Sequence, residues 1–301
     1  MNDRIVIFGG SNIDFIGQSK KKIIFEDSNP GTIKTSYGGV GRNIAETLAR
    51  LGNDVTFITG IGNDLYGTMM LKDLSDLGIK VLYPKPNTPS SMFMEITGPE
   101  GEISVGVCDG RAIEKITLAF IRKDAEEIRA RDYLVLDTNF SAKLIADLFH
   151  MLPDKKWCVE TISETKAIKV RKFLHNIWLL KGNLLEMRSI LEDSQSLSIQ
   201  EVAARLIQLG VKNVVITDKT NPVIIASRSG IECVEVRPVD YVINTTGAGD
   251  ALFAGIIDAI YHGRTIKEGV EFGTVLSSYA LKSESAVNPD IEDLVKDRNQ
   301  L

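Results

Sequence analysis

The stretch "NTTGAGDALFAG", residues 244–255, decides the fold of this chain. The "YVIN" that leads into it is typical of the end of a strand, and the apolar residues after its glycines follow a helical spacing up to Gly263. Thr245 or Thr246 is a suitable N-cap for that helix, so residues 247–249 would form its first turn. A strand, a glycine turn and a helix in succession form the unit from which parallel sheets are assembled. The stretch therefore predicts an α/β fold.

The glycines of this stretch also have a chemical use. The first N–H groups of a helix lack internal partners, so Gly247, Ala248 and Gly249 would present backbone donors to an anion. Asp250 follows in the first turn, where its carboxylate could accept a proton from a hydroxyl that attacks a phosphoryl group. The pattern indicates phosphoryl transfer to an alcohol; the alternative is a plain capped helix whose glycines allow close packing. Leu252 occupies the position where a dinucleotide-binding G-x-G-x-x-G would need its third glycine.

A second glycine stretch, "SYGGVGRNIAETLARLG" at residues 36–52, precedes another helical pattern. Its glycines, and a carboxamide in the opening turn of the helix, could meet a polar ligand at close range. Upstream, "GGSNID" at residues 9–14 ends a buried strand with further polar side chains. Carboxylates and carboxamides that converge beyond the carboxyl ends of parallel strands are suited to the vicinal hydroxyls of a sugar. The residues concerned are Asn12, Asp14, Gly38, Gly39 and Asn43.

The rest of the chain alternates between short β-branched runs and helical patterns. The strand candidates are "RIVIFGG", "DVTFITG", "YLVLDTN", "NIWLLKGN" and "NVVITD". The helical segments "IAETLARLG" and "VAARLIQLG" end at Gly52 and Gly210, as helices with glycine C-caps do. This alternation predicts a mainly parallel sheet with helices on both faces.

Two segments, roughly 14–37 and 86–108, depart from this rhythm. Both show strand-like alternation with turn residues such as "TGPEG", which predicts two hairpins that form a small sheet of their own. Either that sheet would cover another part of the protein, or the two hairpins would be surface features without a role. The chain contains no repeat or linker that would divide it, so we expect a single domain over residues 1–301.

Composition narrows the class of partner. The chain has 301 residues, of which 44% are hydrophobic and 25% charged, with a net charge of −5. An acidic chain without a dense basic block gives little support to nucleic-acid or anionic-membrane binding, so a small-molecule partner is expected. No apolar run is long enough for a secretory or membrane-spanning segment, and the three cysteines do not form metal-ligand pairs. A cytoplasmic location is therefore expected.

Together, "GGVGRNIAETLARLG" and "NTTGAGDALFAG" resemble the two signatures of the ribokinase-like (PfkB) carbohydrate kinase family. The "GGSNID" strand end comes before them and "KGNLLE" lies between them, so the resemblance covers essentially the whole chain. It implies a three-layer α/β/α sandwich with a mainly parallel central sheet and a small β-sheet lid, which the two departing segments would form. It also implies a kinase that uses ATP and Mg²⁺.

The resemblance assigns roles to residues of this chain. Asp250 matches the catalytic base, and Gly247, Ala248 and Gly249 match the anion hole for the transferred phosphoryl group. Glu186 in "GNLLE" matches a residue that helps to hold magnesium through water. The matches to substrate contacts are Asn12, Asp14, Gly38, Gly39, Asn43 and Asn139. The matches to ATP contacts are Asn183, Thr217, Thr246, Gly247 and Gly249.

Within the family, the "DSNPG" turn, "GGVGRNIA" and the tail "SSYALKSESAVNPD" are most similar to the members that phosphorylate pseudouridine. The primary 5′-hydroxyl of the ribose would then attack ATP, and the base would lie under the lid. Ser90, Ser91 and Asp109 are candidates to touch that base because of their place in the lid. Another sugar or nucleoside kinase of the same family, or a ligand-binding pseudokinase, remains an alternative, and an NAD-dependent oxidoreductase would lack its fingerprint.

Three positions depart from the family pattern. The turn "DKTNP" at residues 218–222 has no glycine where relatives usually approach the nucleotide with their backbone, although Lys219 could contact a phosphate. Asn244 replaces an aspartate that many relatives have, so the sequence does not decide whether a monovalent cation binds near the anion hole. Glu160 and Thr161 replace a frequent Asp-Pro pair, which we interpret as a structural change. Pairing of two copies through the lid would cover its edges, and the sequence does not decide whether it occurs.

Overall fold

The computed structural model describes residues 4–85, 87–192 and 196–294, and it alternates strands and helices along most of that length. The strands are β1 Ile5–Phe8, β2 Asn12–Ser19, β3 Gly31–Gly38, β4 Val55–Ile58, β5 Lys80–Leu82, β6 Met92–Thr97, β7 Ile103–Asp109, β8 Tyr133–Asp137, β9 Lys156–Glu160, β10 Ile177–Asn183, β11 Asn213–Asp218, β12 Asn221–Ser227 and β13 Gly230–Val234. The helices are α1 Val40–Arg50, α2 Leu65–Asp76, α3 Leu118–Ile121, α4 Ala125–Arg129, α5 Ala142–Met151, α6 Glu164–Ala167, α7 Leu184–Ile190, α8 Ile199–Gln208, α9 Ala248–Tyr261 and α10 Ile266–Leu281. None of the helices within these residues is long and apolar enough to cross a lipid bilayer.

Within the described residues, the larger sheet has nine strands in the order β13-β12-β11-β10-β9-β8-β1-β4-β5. Seven of them run parallel, and β12 and β13 form an antiparallel edge beside β11. The predicted mainly parallel sheet is confirmed. Since the strands of such a sheet all end at one edge, their polar carboxyl-terminal residues are brought together there.

Apolar cores lie on both faces of this sheet, as its continuous hydrophobic strands predict. In β1, Val6 and Phe8 belong to the core that α5 and α8 cover, whereas Ile5 and Ile7 belong to the core under α1 and α9. All four side chains are fully buried. The helices therefore flank the sheet on both sides, which fixes the ends of β1, β8, β9 and β10 within a rigid frame.

The smaller sheet, which we call the lid sheet, consists of β3, β2, β6 and β7 in that order. It confirms the small second sheet expected from segments 14–37 and 86–108; Pro86, the first residue of the second segment, lies outside the described residues. Alternate side chains of a strand point to opposite faces, so the register separates an inner face with Asp14, Phe93 and Cys108 from an outer face with Phe15 and Met94.

The start of α9 differs from the prediction. Gly247 is the N-cap, with φ at 85° and no side-chain cap, so the expected capping by Thr245 or Thr246 is wrong. A Cβ at residue 247 would lie 2.0 Å from the carbonyl oxygen of Ala286, and only a glycine in the left-handed region fits this close approach.

The strand expected at "YVIN" is also wrong, because the backbone of this segment bonds to a helix instead of a sheet. The N–H of Ile243 donates to the carbonyl oxygen of Leu281 at the end of α10, at 2.8 Å. The Oδ1 atom of Asn244 accepts from the N–H of Thr246 at 2.9 Å, a local turn that competes with strand and cap geometry.

Candidate active site

A cavity of about 380 Å³ opens between the carboxyl ends of β1 and β8, the start of α9 and the inner face of the lid sheet. Most of the residues predicted to contact the substrate line it together with the predicted base. Those lining the cavity are Asn12, Asp14, Gly39, Asn43, Asn139 and Asp250, and Thr246, a predicted ATP contact, lines it as well. Segments far apart in the sequence therefore converge on one space of a size suited to a small ligand.

Asp250 lies in the first turn of α9 and is 9% exposed. The Nδ2 atom of Asn43, from the first turn of α1, donates to its Oδ2 atom at 2.8 Å. Burial raises the pKa of Asp250 to about 6, although the hydrogen bond from Asn43 and the charge of Lys181 oppose the change. The carboxylate is therefore ionised at neutral pH, yet basic enough to accept a proton from a nearby hydroxyl.

Asp14 provides a second carboxylate, on the inner face of the lid sheet. Its Oδ1 atom accepts a short hydrogen bond from the Nδ2 atom of Asn12. Burial, with the negative charge of Glu95 as the second cause, raises the pKa of Asp14 to about 7, and Arg42 and Asn12 act against this rise. A carboxylate and a carboxamide held side by side can receive two neighbouring hydroxyl groups.

The two glycines before α1 have different roles. Gly39 lines the cavity with φ at 99°, and a Cβ there would lie 2.6 Å from the carbonyl oxygen of Gly10. Gly38 does not belong to the lining; a Cβ at this position would lie 2.0 Å from Oδ2 of Asp14. Gly38 therefore makes room for the carboxylate that faces the cavity.

Asp137, at the end of β8, is a site residue that the sequence did not single out. It is 1% exposed. Its Oδ2 atom accepts from the N–H groups of Gly10 and Gly41, each at 2.8 Å, and its Oδ1 atom accepts from the N–H of Asn139 at 2.8 Å. The carboxylate thereby ties the end of β1, the start of α1 and the end of β8 to one another, and burial raises its pKa. Its position at the carboxyl end of the predicted strand "YLVLDTN" was the one feature of the sequence that could have indicated Asp137.

We expect Asp137→Asn to lower the free energy of unfolding by about 2–4 kcal/mol, because an amide nitrogen cannot accept from the glycine N–H groups and leaves a buried donor unpaired. Urea unfolding followed by circular dichroism measures this change. The control is Asp147→Asn on α5, whose carboxylate pairs with Lys143 at the surface and should contribute less than about 1 kcal/mol. Equal losses in the two variants would contradict the assigned role of Asp137.

Two of the predicted ATP contacts, Asn183 and Thr217, lie at the ends of β10 and β11, and Glu186 follows in the first turn of α7. Asn183 caps α7, its Oδ1 atom accepting from the N–H of Glu186, and Oε2 of Glu186 accepts from the N–H of Asn183 at 2.9 Å. Oε2 of Glu186 also accepts from the hydroxyl of Thr161 at 2.6 Å. Thr217 is the register partner of Asn183 on β11. These three predicted residues, Asn183, Glu186 and Thr217, are thus neighbours outside the cavity.

Magnesium fits this arrangement as a partly hydrated ion. The described residues contain no cluster of three His, Cys, Asp or Glu side chains that could hold a metal. Mg²⁺ commonly keeps several waters and binds through one or two carboxylates together with substrate phosphates. Both contacts of Glu186 use Oε2, so Oε1 is the oxygen that could receive a magnesium-bound water.

The glycine-free turn forms a tight connection between β11 and β12. Lys219 has φ at 52°, in the left-handed region that favours glycine. Nδ2 of Asn221 donates to Oδ2 of Asp218 across the turn at 2.8 Å. The turn is thus made without a glycine, and Lys219 is exposed at its tip.

The lid candidates separate into two groups. Ser91 and Asp109 line the cavity, and Asp109 forms a two-point ion pair with Arg111. Ser90 does not line it, because its N–H and hydroxyl both bind Asp64, the N-cap of α2. The suggestion that Ser90 touches the base is therefore not supported by its position.

Two further residues of the cavity wall had no signal in the sequence. Ile162 has φ at 68°, an unusual conformation for a β-branched residue, and its side chain lies at the cavity. Lys166 also lines the cavity and donates from Nζ to Oδ1 of Asn139 at 2.7 Å. They belong to the part of the cavity wall that lies outside the lid sheet, so an apolar contact and a cation are available there.

Comparison with known proteins supports a kinase. Residues 2–293 match the family described as pfkB family carbohydrate kinase. The pseudouridine kinase of Escherichia coli (strain K12) is 34% identical over 96% of this chain and 94% of its own length. The ribokinase of Thermotoga maritima superposes with a TM-score of 0.85 and 20% identity, over 98% of this chain and 99% of that one. The Arabidopsis thaliana ribokinase complexed with ribose and ATP superposes with a TM-score of 0.83 and 18% identity, over 98% of this chain and 99% of that one. These solved structures confirm the ribokinase-like fold.

Proposed function

The chain belongs to the pfkB family of carbohydrate kinases, a phosphotransferase family acting on sugar or nucleoside hydroxyls, and from this premise we propose that it transfers the γ-phosphoryl group of ATP to the 5′-hydroxyl of pseudouridine. The observation on which the reaction rests is the contact between Asn43 and Asp250 inside the cavity. It places a carboxylate of raised pKa at the start of α9, beside the residues suited to bind a sugar.

Different residues of the chain would have different roles in this reaction. Asp14 and Asn12 would accept and donate hydrogen bonds to the vicinal hydroxyls of the ribose and hold the 5′-hydroxyl near Asp250. Asp250 would take the proton from that hydroxyl as its oxygen bonds to phosphorus. The N–H groups at the start of α9 would stabilise the charge on the phosphoryl oxygens. Mg²⁺ bound through Glu186 and water would supply additional positive charge to the phosphates.

Pseudouridine is the proposed acceptor for two reasons. The relative named pseudouridine kinase matches nearly the full length of both chains. The lid side of the cavity offers Asp109, Ser91 and the backbone of Gly110 to the edge of a base that has two N–H donors and two carbonyl acceptors. A different sugar or nucleoside could use the same transfer residues, since Asp250 and residues 247–249 belong to α9 and its N-cap and not to the lid sheet.

The test is ATP consumption by the purified protein with Mg²⁺ and one acceptor at a time: pseudouridine, uridine, ribose, adenosine or fructose 6-phosphate. Turnover with pseudouridine at a kcat/KM at least tenfold above that of uridine would support the proposal. Preference for another acceptor would leave the transfer reaction intact and overturn the assignment of the base. The Asp250→Asn protein serves as the blank for contaminating kinases.

A pseudokinase is the second candidate, because the turn at Lys219 lacks the glycine that usually allows close approach of a nucleotide. Calorimetric titration with ATP and Mg²⁺ separates the two functions. An active kinase binds ATP measurably in this titration, whereas a sensor of nucleosides would bind pseudouridine without a nucleotide.

We also propose that two copies pair through the outer face of the lid sheet. Its exposed apolar side chains are Ile33, Met94, Val105 and Val107, at 80%, 51%, 50% and 64% exposure. Burial of such side chains between two lid sheets would remove apolar surface from water. Sedimentation velocity should then show a particle of twice the 33.1 kDa chain mass, and Val107→Glu should return it to the monomer. A monomeric native protein would contradict this proposal.

A further inference from the structure

A strained turn between β9 and α6 brings Ile162 to the wall of the candidate active site. Ile162 has φ at 68°, in the left-handed region that β-branched residues rarely adopt, and it lines the cavity. The N–H of Ser163 donates to the carbonyl oxygen of Thr161 at 2.8 Å, which closes a three-residue turn around Ile162. A turn of this size with a positive φ at its centre is rare and strained. Strain of this kind persists where the surroundings impose it, and it is most often found at functional sites.

The surroundings of the turn do impose this backbone conformation. Thr161 is fully buried, and its N–H donates to the carbonyl oxygen of Lys181 on β10 at 3.2 Å. Its carbonyl oxygen also accepts from the hydroxyl of Thr138 at 2.6 Å. These hydrogen bonds fix the backbone on which Ile162 follows, and a glycine would adopt the same conformation without strain. The backbone alone therefore does not explain an isoleucine at this position.

The turn lies between the two halves of the candidate site. Thr161, directly before Ile162, donates from its hydroxyl to Oε2 of Glu186, the predicted magnesium residue, at 2.6 Å. Lys166, four residues after Ile162, donates from Nζ to Oδ1 of Asn139, a predicted substrate contact, at 2.7 Å. Ile162 is thus placed between the residues predicted for the phosphoryl donor and those predicted for the acceptor.

Water is the competitor that a phosphoryl-transfer site has to exclude at such a place. A carboxylate that takes a proton from a sugar hydroxyl can also take one from water, so Asp250 by itself does not distinguish the two nucleophiles. The half-buried side chain of Ile162 fills space at the cavity wall and has no polar atom to hold a water molecule there.

We propose that Ile162 is a specificity-determining residue, whose side chain is held at the cavity by the strained turn and excludes water from the space between the acceptor and the γ-phosphoryl group. This inference rests on the proposed kinase function and adds to it a choice between the acceptor hydroxyl and water. When water attacks instead, its oxygen bonds to the γ-phosphorus, the bond from phosphorus to the leaving oxygen of ADP breaks, and one proton of the water passes to Asp250. The products are then ADP and inorganic phosphate.

The test compares Ile162→Gly, Ile162→Ala and Ile162→Val with ATP, Mg²⁺ and the acceptor that the native protein prefers. Inorganic phosphate and phosphorylated acceptor are measured separately. In the glycine and alanine variants we expect the ratio of the first product to the second to rise about tenfold or more, and kcat/KM for the acceptor to fall about 10–100-fold, as loss of methylene groups from an apolar pocket does. Ile162→Val keeps a β-branched apolar side chain, so its ratio should change by less than about threefold.

Stability separates this role from a structural one. Glycine adopts a positive φ freely and alanine does not, so Ile162→Gly should have a melting temperature about 2–4 °C above that of Ile162→Ala. The two variants should nevertheless show the same rise in the product ratio. Glu192→Gly is the matched control, because Glu192 has φ at 60° and is not among the described residues that line the cavity. This control should keep the native product ratio.

A native product ratio in Ile162→Gly and Ile162→Ala would overturn the inference. A ratio that rises in the alanine variant and not in the more stable glycine variant would overturn it as well, since the effect would then follow stability and not the lost side chain. Failure of the proposed function would appear earlier, as the absence of phosphorylated product from the native protein with every acceptor of the panel. That outcome would overturn both, whereas the product ratios of the variants overturn the inference alone.

Discussion

Replacing Asp250 by asparagine is expected to lower kcat by about 10²–10⁴-fold, the range associated with loss of a general base. Asparagine has the same shape, and its Oδ1 atom can still accept the hydrogen bond that Asn43 gives at 2.8 Å. It cannot take a proton from the acceptor hydroxyl. The affinity for the sugar should therefore stay within about threefold, because ground-state contacts remain. Steady-state kinetics and calorimetric titration with the acceptor measure the two quantities.

A matched control exists on the same helix. Asp258 is 4% exposed on α9 and accepts from Nδ2 of Asn53 at 2.8 Å, much as Asp250 accepts from Asn43. Asp258→Asn alters a comparable buried pair away from the cavity and should leave kcat nearly unchanged. Native kcat in Asp250→Asn, or an equal loss in both variants, would remove Asp250 from the role of base.

The pH dependence of the native protein provides an independent check. Burial raises the pKa of Asp250 to about 6, and only the ionised carboxylate can accept a proton. The kcat should therefore be constant above that pH and fall about tenfold per unit below it. A kcat that stays constant from pH 7 to pH 5 would contradict the assignment.

Replacing Asp14 by alanine is expected to have the second large effect, a loss of about 10²–10⁴-fold in kcat/KM. Two hydroxyl groups of the sugar would lose hydrogen bonds to a buried charged group, each contributing about 1.5–3 kcal/mol. Because Asp14 lies on the lid sheet and not beside the start of α9, the larger part of the loss should appear in KM. Kinetics over a range of acceptor concentrations separates KM from kcat.

The pKa of Asp14 gives this prediction a signature of its own. Its pKa is raised to about 7, and the ionised form is the better acceptor for hydroxyl groups. The KM of the native protein should thus decrease as pH rises towards 7 and level off above it. Glu95→Gln removes one cause of the raised pKa and should move this transition to lower pH. A KM that does not change between pH 6 and pH 8 would contradict the proposed contact.

The sequence was sufficient for the features that depend on neighbouring residues. The mainly parallel sheet with helices on both faces, the small second sheet and the glycines before α1 and α9 follow from local patterns and hold in the structure, whereas the strand expected at "YVIN" does not. The convergence of Asp14, Asn43 and Asp250 followed from motifs placed at the carboxyl ends of parallel strands.

Features that depend on contacts between distant parts of the chain could not be predicted from local sequence patterns. Asp137 is recognisable only when the glycines at 10 and 41 are seen to donate to it. The cap of α9 was assigned wrongly because the carbonyl of Ala286, far along the sequence, decides that Gly247 is required. The left-handed backbone conformation of Ile162 and the buried ion pair between Lys181 and Glu160 likewise had no local signal in the sequence.

The lid sheet has a consequence for how this kind of molecule can diversify. Its strands β6 and β7 place Phe93, Cys108 and Asp109 at the cavity, whereas Asp250 belongs to α9, far from them in the chain. We therefore expect substitutions within residues 92–109 to alter which acceptor is preferred while the proposed base, Asp250, stays as it is. Proteins that descend from one ancestral gene could acquire a different acceptor specificity through substitutions in a single hairpin. A laboratory selection for new acceptors should therefore begin with a library confined to that hairpin.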